Sequence, residues 1–202
     1  MNQPTIYLAS GSPRRHEILT NLGYQVLRVP ADIDETPYPA ENAQDYVQRM
    51  ALKKNQAALA NWLQNYSQPP EFPLLSADTT ISLNNLILGK PANAADAAHT
   101  LKLLSGRQHQ VLTAVCLYWQ NRTYQALQTS TVSFATLQPE QITAYIASAE
   151  PLDKAGAYGI QGLGGVFVKN ISGSFTGIMG LPVYETTQLL SQCGCSPFIQ
   201  IQ

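Results

Sequence analysis

Six consecutive residues near the start of the chain, Ser10-Gly11-Ser12-Pro13-Arg14-Arg15, bring together hydroxyls, a glycine turn and two guanidinium groups. That set suits phosphate. The apolar run Ile6–Ala9 reads as a buried strand ahead of it. Ser12 fits the N-cap of a helix and Pro13 its first position, where a missing N–H costs nothing. A helix starting there presents unpaired N–H groups and its positive dipole end to the turn. Arg14 and Arg15 add permanently charged, forked donors. The guest of such a turn is a polyphosphate, although the same residues also make an ordinary capped and solvated helix end.

Asp78 is the sharpest single residue. It follows the apolar run Leu74–Ala77 and is expected at the C-terminal end of a strand, where α/β sheets place ligands. A carboxylate there can hold a divalent cation, or orient and deprotonate a water. Its alternative role is to cap its own turn, but Thr79 and Thr80 follow at once as strand and leave little turn to cap. Glu35 is a possible second metal ligand, or an ordinary loop acid. Lys90 lies between Gly89 and Pro91 and reads as a phosphate ligand or a solvated lysine. Lys53 and Lys54 sit on a long helix, one face of which must be charged in any case. The glycine-rich run from Glu150 to Gly162 allows close backbone approach to a ligand. Within it, the primary amide of Gln161 offers both a donor and an acceptor, a pattern able to read a base edge. Ser172–Gly177 and Gly180-Leu181-Pro182 read as a second loop closing the same site. The three histidines have no metal spacing, and there is no P-loop, nucleophile elbow or zinc pattern.

The elements that must position these groups alternate. Strands are expected over Gln25–Pro30, Leu74–Ala77, Thr79–Leu83, Leu86–Leu88, Val111–Tyr118, Tyr124–Ala135 and Val166–Val168. Helices are expected from Pro13, over Ala43–Asn65, from Ala94 to Leu104 behind an Asn93 cap, from Pro139 to Ser148 and over Tyr184–Gln192. Asn84-Asn85 suits a two-residue hairpin turn. Alternation mixed with hairpins implies an α/β fold with a mixed β-sheet flanked by helices. At 202 residues and 45% hydrophobic, the chain suits one domain or two small lobes sharing a cleft. A net charge of −1 and little aromatic–basic interleaving speak against nucleic acid. No apolar stretch approaches a membrane span and no signal peptide is visible, so a cytoplasmic protein is expected. Cys116 reads as core, and Cys193 and Cys195 as free thiols.

Taken in order, these blocks resemble the Maf family, also called septum formation inhibitor Maf-like proteins. The matching residues are Ser10–Arg15, Asp34-Glu35, Lys54, Ala77-Asp78-Thr79, Lys90-Pro91, Ser105-Gly106 with His109 and Thr113–Val115, Glu150–Gly162 and Gly180-Leu181-Pro182. They span nearly the whole of residues 1–202, read as a single domain. The resemblance implies two lobes around a deep cleft, similar to inosine triphosphate pyrophosphatases. It implies hydrolysis of a nucleoside triphosphate to monophosphate and pyrophosphate with a divalent cation, Mg²⁺ first and Mn²⁺ or Co²⁺ as alternatives. The family's proton acceptor maps onto Asp78, and its phosphate and metal positions onto Ser10, Arg15, Glu35, Lys54 and Lys90. Arg14, Thr79 and Gln161 match the branch similar to dTTP/UTP pyrophosphatases. The branch resembling 7-methyl-GTP pyrophosphatases has Trp, Asp-Gln and Ser-Glu-Gly at those places, and this chain has none of them. Ser174-Phe175 departs from the Ser-Tyr frequent in the family. The resemblance also implies a homodimer and a role in cleansing nucleotide pools, with a link to cell division. A nucleotide-sensing regulator that binds without turnover is the alternative reading.

Overall fold

The computed structural model describes residues 3–197. Seven strands form one mixed sheet: β1 (Thr5–Ala9), β2 (Gln25–Arg28), β3 (Leu74–Leu83), β4 (Leu86–Leu88), β5 (Gln108–Trp119), β6 (Arg122–Phe134) and β7 (Val168–Ser172). Six helices flank it: α1 (Pro13–Asn21), α2 (Ala43–Asn65), α3 (Ala94–Leu104), α4 (Pro139–Ala147), α5 (Phe175–Ile178) and α6 (Val183–Gln192). The sheet order is β2-β1-β3-β5-β6-β7, with β4 paired to β3. Only β1 makes parallel pairs, with β2 and β3; the remaining pairs are antiparallel.

Two hairpins carry the antiparallel part. Asn84 and Asn85 have φ of 51° and 68°, and Gln120 and Asn121 of 48° and 61°. Paired left-handed residues of this kind match the twist of a two-residue hairpin turn. Asn is among the residues that tolerate this conformation best, so the expected turn at Asn84-Asn85 is observed.

The strand carrying Asp78 departs from expectation. Leu74–Leu83 is one continuous strand, and Asp78 stands in its middle, paired with Ala114 of β5. The acid that reads as a strand end is a buried strand interior, held on one side by the β5 ladder. On the other side, β1 pairs with β3 only as far as Ala9 opposite Ser76. Beyond that point the chain leaves the sheet at Ser10. A notch opens beside Asp78, so the cleft lies at the end of β1 rather than of β3.

Strand alternation sends neighbours to opposite faces. Ser76 and Asp78 face α2, and the Ser76 hydroxyl donates to the Ala51 carbonyl of α2 at 2.8 Å. Ala77 and Thr79 face the other side, where β1, α1 and α6 pack around Leu8, Leu19, Leu181 and Leu190. A separate core forms between α3, α4 and the far ends of β3 and β5, with Leu101, Leu104, Phe134 and Tyr158. The cleft lies between these two cores. The expected strand at Val166–Val168 is instead a 3₁₀ turn, Leu163–Phe167, followed by β7. The glycines Gly164 and Gly165 supply a tight turn where the apolar run had suggested a strand.

Among the described residues, no helix is long and apolar enough to cross a membrane. Cys116 is buried in the core, as expected, and Cys193 and Cys195 are free thiols.

Candidate active site

The cleft has a volume of about 1050 Å³. Its lining includes Ser10, Arg14, Arg15, Glu35, Lys54, Asp78, Thr79, Lys90 and Gln161, but neither Lys53 nor the Ser172–Gly177 segment expected to close the site. Residues as far apart in sequence as Ser10 and Gln161 therefore share one space.

At its base, Asp78 is 7% exposed. α2 brings Lys54 against it. Asn55, the next residue of α2, is buried and donates to the carbonyls of Leu74 (2.9 Å) and Cys116 (3.3 Å), pinning the helix to the sheet. Ala43 and Ala51 keep the helix close to β5. Lys54 Nζ then lies 2.7 Å from Asp78 Oδ1 and 2.7 Å from Glu35 Oε1.

The two carboxylates are tuned apart. Burial dominates at Asp78 and pushes its pKa above the usual aspartate value, against the pull of Lys54 and Arg15. Burial acts upward on Glu35 as well, but the hydrogen bond and charge of Lys54, with the charges of Lys90 and Arg15, hold it below the usual glutamate value. The more buried carboxylate therefore holds a proton more readily than its neighbour.

Glu35 sits on a loop without regular structure, Pro30–Pro39. Its placement comes from α2. Tyr46 donates its hydroxyl to the Glu35 carbonyl at 2.9 Å. Arg49 donates to the Thr36 carbonyl at 3.2 Å, pairs with Glu41, and lies 3.8 Å from the centre of the Tyr38 ring. Sequence reading missed Tyr46, Arg49 and Tyr38. Their only signal was aromatic and basic residues one helical turn apart, which an ordinary solvated helix face also shows.

Arg15 is buried and spends three of its N–H groups on the protein. It donates to the Gly180 carbonyl (2.7 Å), Ser10 Oγ (3.0 Å) and Thr79 Oγ1 (3.1 Å). Arg14 is half-buried and makes no hydrogen bond among the described residues. The expected Ser12 cap is corrected: Ser12 occupies the N-cap but its side chain bonds no helix N–H. Instead Ser10 Oγ accepts from the Ser12 N–H at 3.2 Å. Both lone pairs of Ser10 are thereby engaged, and its own proton remains to donate.

The facing wall is built differently. Glu150 clamps the glycine-rich segment by accepting from Tyr145 Oη (2.8 Å), Leu163 N (2.9 Å) and Gly164 N (3.1 Å). A Cβ on Gly162 would press on the Glu150 carboxylate, which would have to shift and loosen its grip on the loop. Glu150 thus holds the loop from within the cleft lining. Gln161 and Lys90 stand exposed on the rim, with no side-chain hydrogen bond among the described residues. The second loop contains the short helix α5, which Ser174 Oγ caps by accepting from Gly177 N at 3.0 Å.

Among the described residues no three His, Cys, Asp or Glu side chains gather as a metal cluster. Two hard oxygen donors, Asp78 and Glu35, nevertheless converge on one ammonium nitrogen. That donor set fits Mg²⁺, which takes one or two carboxylates and fills its shell with water and phosphate oxygens.

The fold and site define an α/β protein whose cleft joins a helix N-terminus and cations to a buried carboxylate. The chain belongs to the Maf family: the family model described as Maf-like protein matches residues 5–193. The dTTP/UTP pyrophosphatase of Neisseria gonorrhoeae is 53% identical over 193 residues, which cover 96% of each chain. The dTTP/UTP pyrophosphatase of Pasteurella multocida is 54% identical over 194 residues, 95% of this chain and 97% of that one. A solved structure of the Staphylococcus aureus Ham1 protein aligns at 14% identity with a TM-score of 0.43, covering 65% of this chain and 72% of the other.

Proposed function

We propose that this protein hydrolyses the α–β phosphoanhydride of dTTP and UTP, releasing the nucleoside monophosphate and pyrophosphate. The observation that carries the reading is Asp78, buried at the base of a nucleotide-sized cleft with its pKa raised and cations on two sides. The relatives' names point to the same substrates.

The triphosphate lies over the N-terminus of α1. Ser10 donates its remaining proton to a phosphate oxygen. Arg14, Lys90 and the unspent N–H groups of Arg15 balance the anionic charge. Glu35 and Asp78 would hold a divalent cation, Mg²⁺ by the hardness of their oxygens, which supplies charge neutralisation at the phosphates. Asp78 Oδ atoms orient a water and take its proton as its oxygen attacks the α-phosphorus; the α–β bridge oxygen leaves with pyrophosphate. Lys54 keeps Asp78 ionised until that moment. Gln161 reads the base edge from the rim, its amide complementing an N–H and a carbonyl of a uracil-type ring.

The test is D78N assayed with saturating Mg²⁺ and dTTP. Loss of the base should cost roughly 10²–10⁴-fold in turnover. Wild-type turnover in that variant would overturn the assignment. Pyrophosphate release across dTTP, UTP, CTP, GTP and 7-methyl-GTP separates substrate choice from chemistry. Tight binding without release from any of them would favour a nucleotide-sensing protein.

A further inference from the structure

We propose that Thr113, which does not line the cleft, is a positioning residue that fixes Thr79 as a hydrogen-bond acceptor toward substrate. The inference rests on the hydrolase reading above and deepens it.

It follows from counting protons. Thr113 is 0% exposed and stands directly opposite Thr79 in the β3–β5 ladder. Its Oγ1 lies 2.7 Å from the Gly177 carbonyl, which can only accept, so the single Thr113 hydroxyl proton goes there. The two threonine oxygens are 2.9 Å apart. With the Thr113 proton spent, Thr79 must donate in that pair. Arg15 Nη2 donates to Thr79 Oγ1 at 3.1 Å and takes one of its lone pairs. One lone pair of Thr79 remains, on a residue that lines the cleft. Thr79 therefore offers substrate an acceptor and no donor. Ser10, wired to the same arginine, is left the opposite way, with a proton and no engaged-free lone pair. The guanidinium takes one lone pair of each hydroxyl, while the Ser12 N–H and Thr113 decide what is left.

The matching substrate group is a hydrogen-bond donor: a sugar hydroxyl, or the imide N–H of a uracil-type base if Thr79 rather than the Gln161 amide oxygen takes it. Two substrate pairs tell these sources apart. UTP against N3-methyl-UTP tests the base, and dTTP against 3′-deoxy-dTTP tests the sugar. The expected result is a wild-type preference of roughly tenfold in kcat/KM for the donor-bearing member of one pair. T113V frees the Thr79 proton to turn into the cleft, so that preference falls toward one. T113S keeps the wild-type ratio. T79V matches T113V, and T79V/T113V loses no further preference, because the two residues act as one unit. T79V also decides the matter should T113V fail to fold.

Equal losses for all four nucleotides in T113V, with both ratios intact, would overturn the inference. So would a wild type without preference in either pair. The same ratios read as Kd by calorimetry isolate the two readings: a protein that binds with the preference but releases no pyrophosphate sinks the hydrolase assignment and leaves the role of Thr113 standing.

Discussion

The two walls of the cleft are built on opposite principles. On one, Ser10, Arg15, Lys54, Asp78 and Thr79 are joined to each other and to backbone carbonyls, and Arg15 and Asp78 are buried. On the other, Lys90 follows β4 and Gln161 stands on the loop held from behind by Glu150; both are exposed and make no side-chain hydrogen bond among the described residues. The difference separates two tasks. Groups that act on developing charge need fixed geometry before the substrate arrives, because reorganisation during the reaction is costly. Groups that capture and sort ligands can remain solvated until they are engaged.

If that division holds, damage to the wired wall should lower kcat, and damage to the open wall should move KM and substrate preference. K54M removes the cation between Asp78 and Glu35 while keeping the aliphatic stem. Turnover of dTTP should fall on the order of 10²-fold, the scale for losing one preorganised charged donor; steady-state assays showing only a KM change would break the comparison. G162A forces a Cβ into the Glu150 carboxylate. It should raise KM several-fold by displacing the Gln161 loop, with kcat nearly kept, and an unchanged KM would show that the loop position is irrelevant to binding. Q161A should shrink the UTP over CTP preference by about tenfold, the worth of one well-made bond at a binding site; parallel kcat/KM values for the two nucleotides decide it.

A separate effect concerns stability behind the open wall. His109 is buried, bonded to Tyr158 Oη at 2.8 Å and edge-on to Phe134, and burial pushes its pKa down to about 4. The folded pKa lies below the unfolded value, so the unfolded chain takes the proton first as pH falls. The stability contributed by neutral His109 is complete above about pH 6.5 and is lost as pH drops toward 4, by on the order of 3 kcal/mol. Urea midpoints at pH 7 and 4.5 should separate strongly for wild type and less for H109Q. Equal pH dependence in both would place the acid sensitivity elsewhere.

Much of the fold was legible because its signals are local. The helix α2 runs over Ala43–Asn65 as its apolar spacing predicts, and the Asn84-Asn85 hairpin follows from residues that accept positive φ. The α/β class with a mixed sheet followed from the order of elements. The strand Leu74–Leu83 was misread as two because an aspartate is rare inside a strand; only the tertiary partners Lys54 and Arg15 make its burial tolerable. The identities of the site residues were legible from motif order, but their relations were not. That Arg15 serves Ser10 and Thr79, that Thr113 stands opposite Thr79, and that Glu150 grips backbone are consequences of register and packing between distant segments.

The bond from Arg15 to the Gly180 carbonyl joins positions 165 residues apart, and Tyr24 reaches the Cys195 carbonyl across 171. A ribosome making this chain releases the Ser10–Arg15 segment long before the Gly180 acceptor exists. The hairpins of β3, β5 and β6 can close from near neighbours, whereas the Ser10–Arg15 turn waits for the end of synthesis. A truncated product that stops short of Gly180 carries the cationic residues and the aspartate but lacks an acceptor that orders Arg15. A fully ordered Arg15 therefore arrives only once the chain has grown past Gly180.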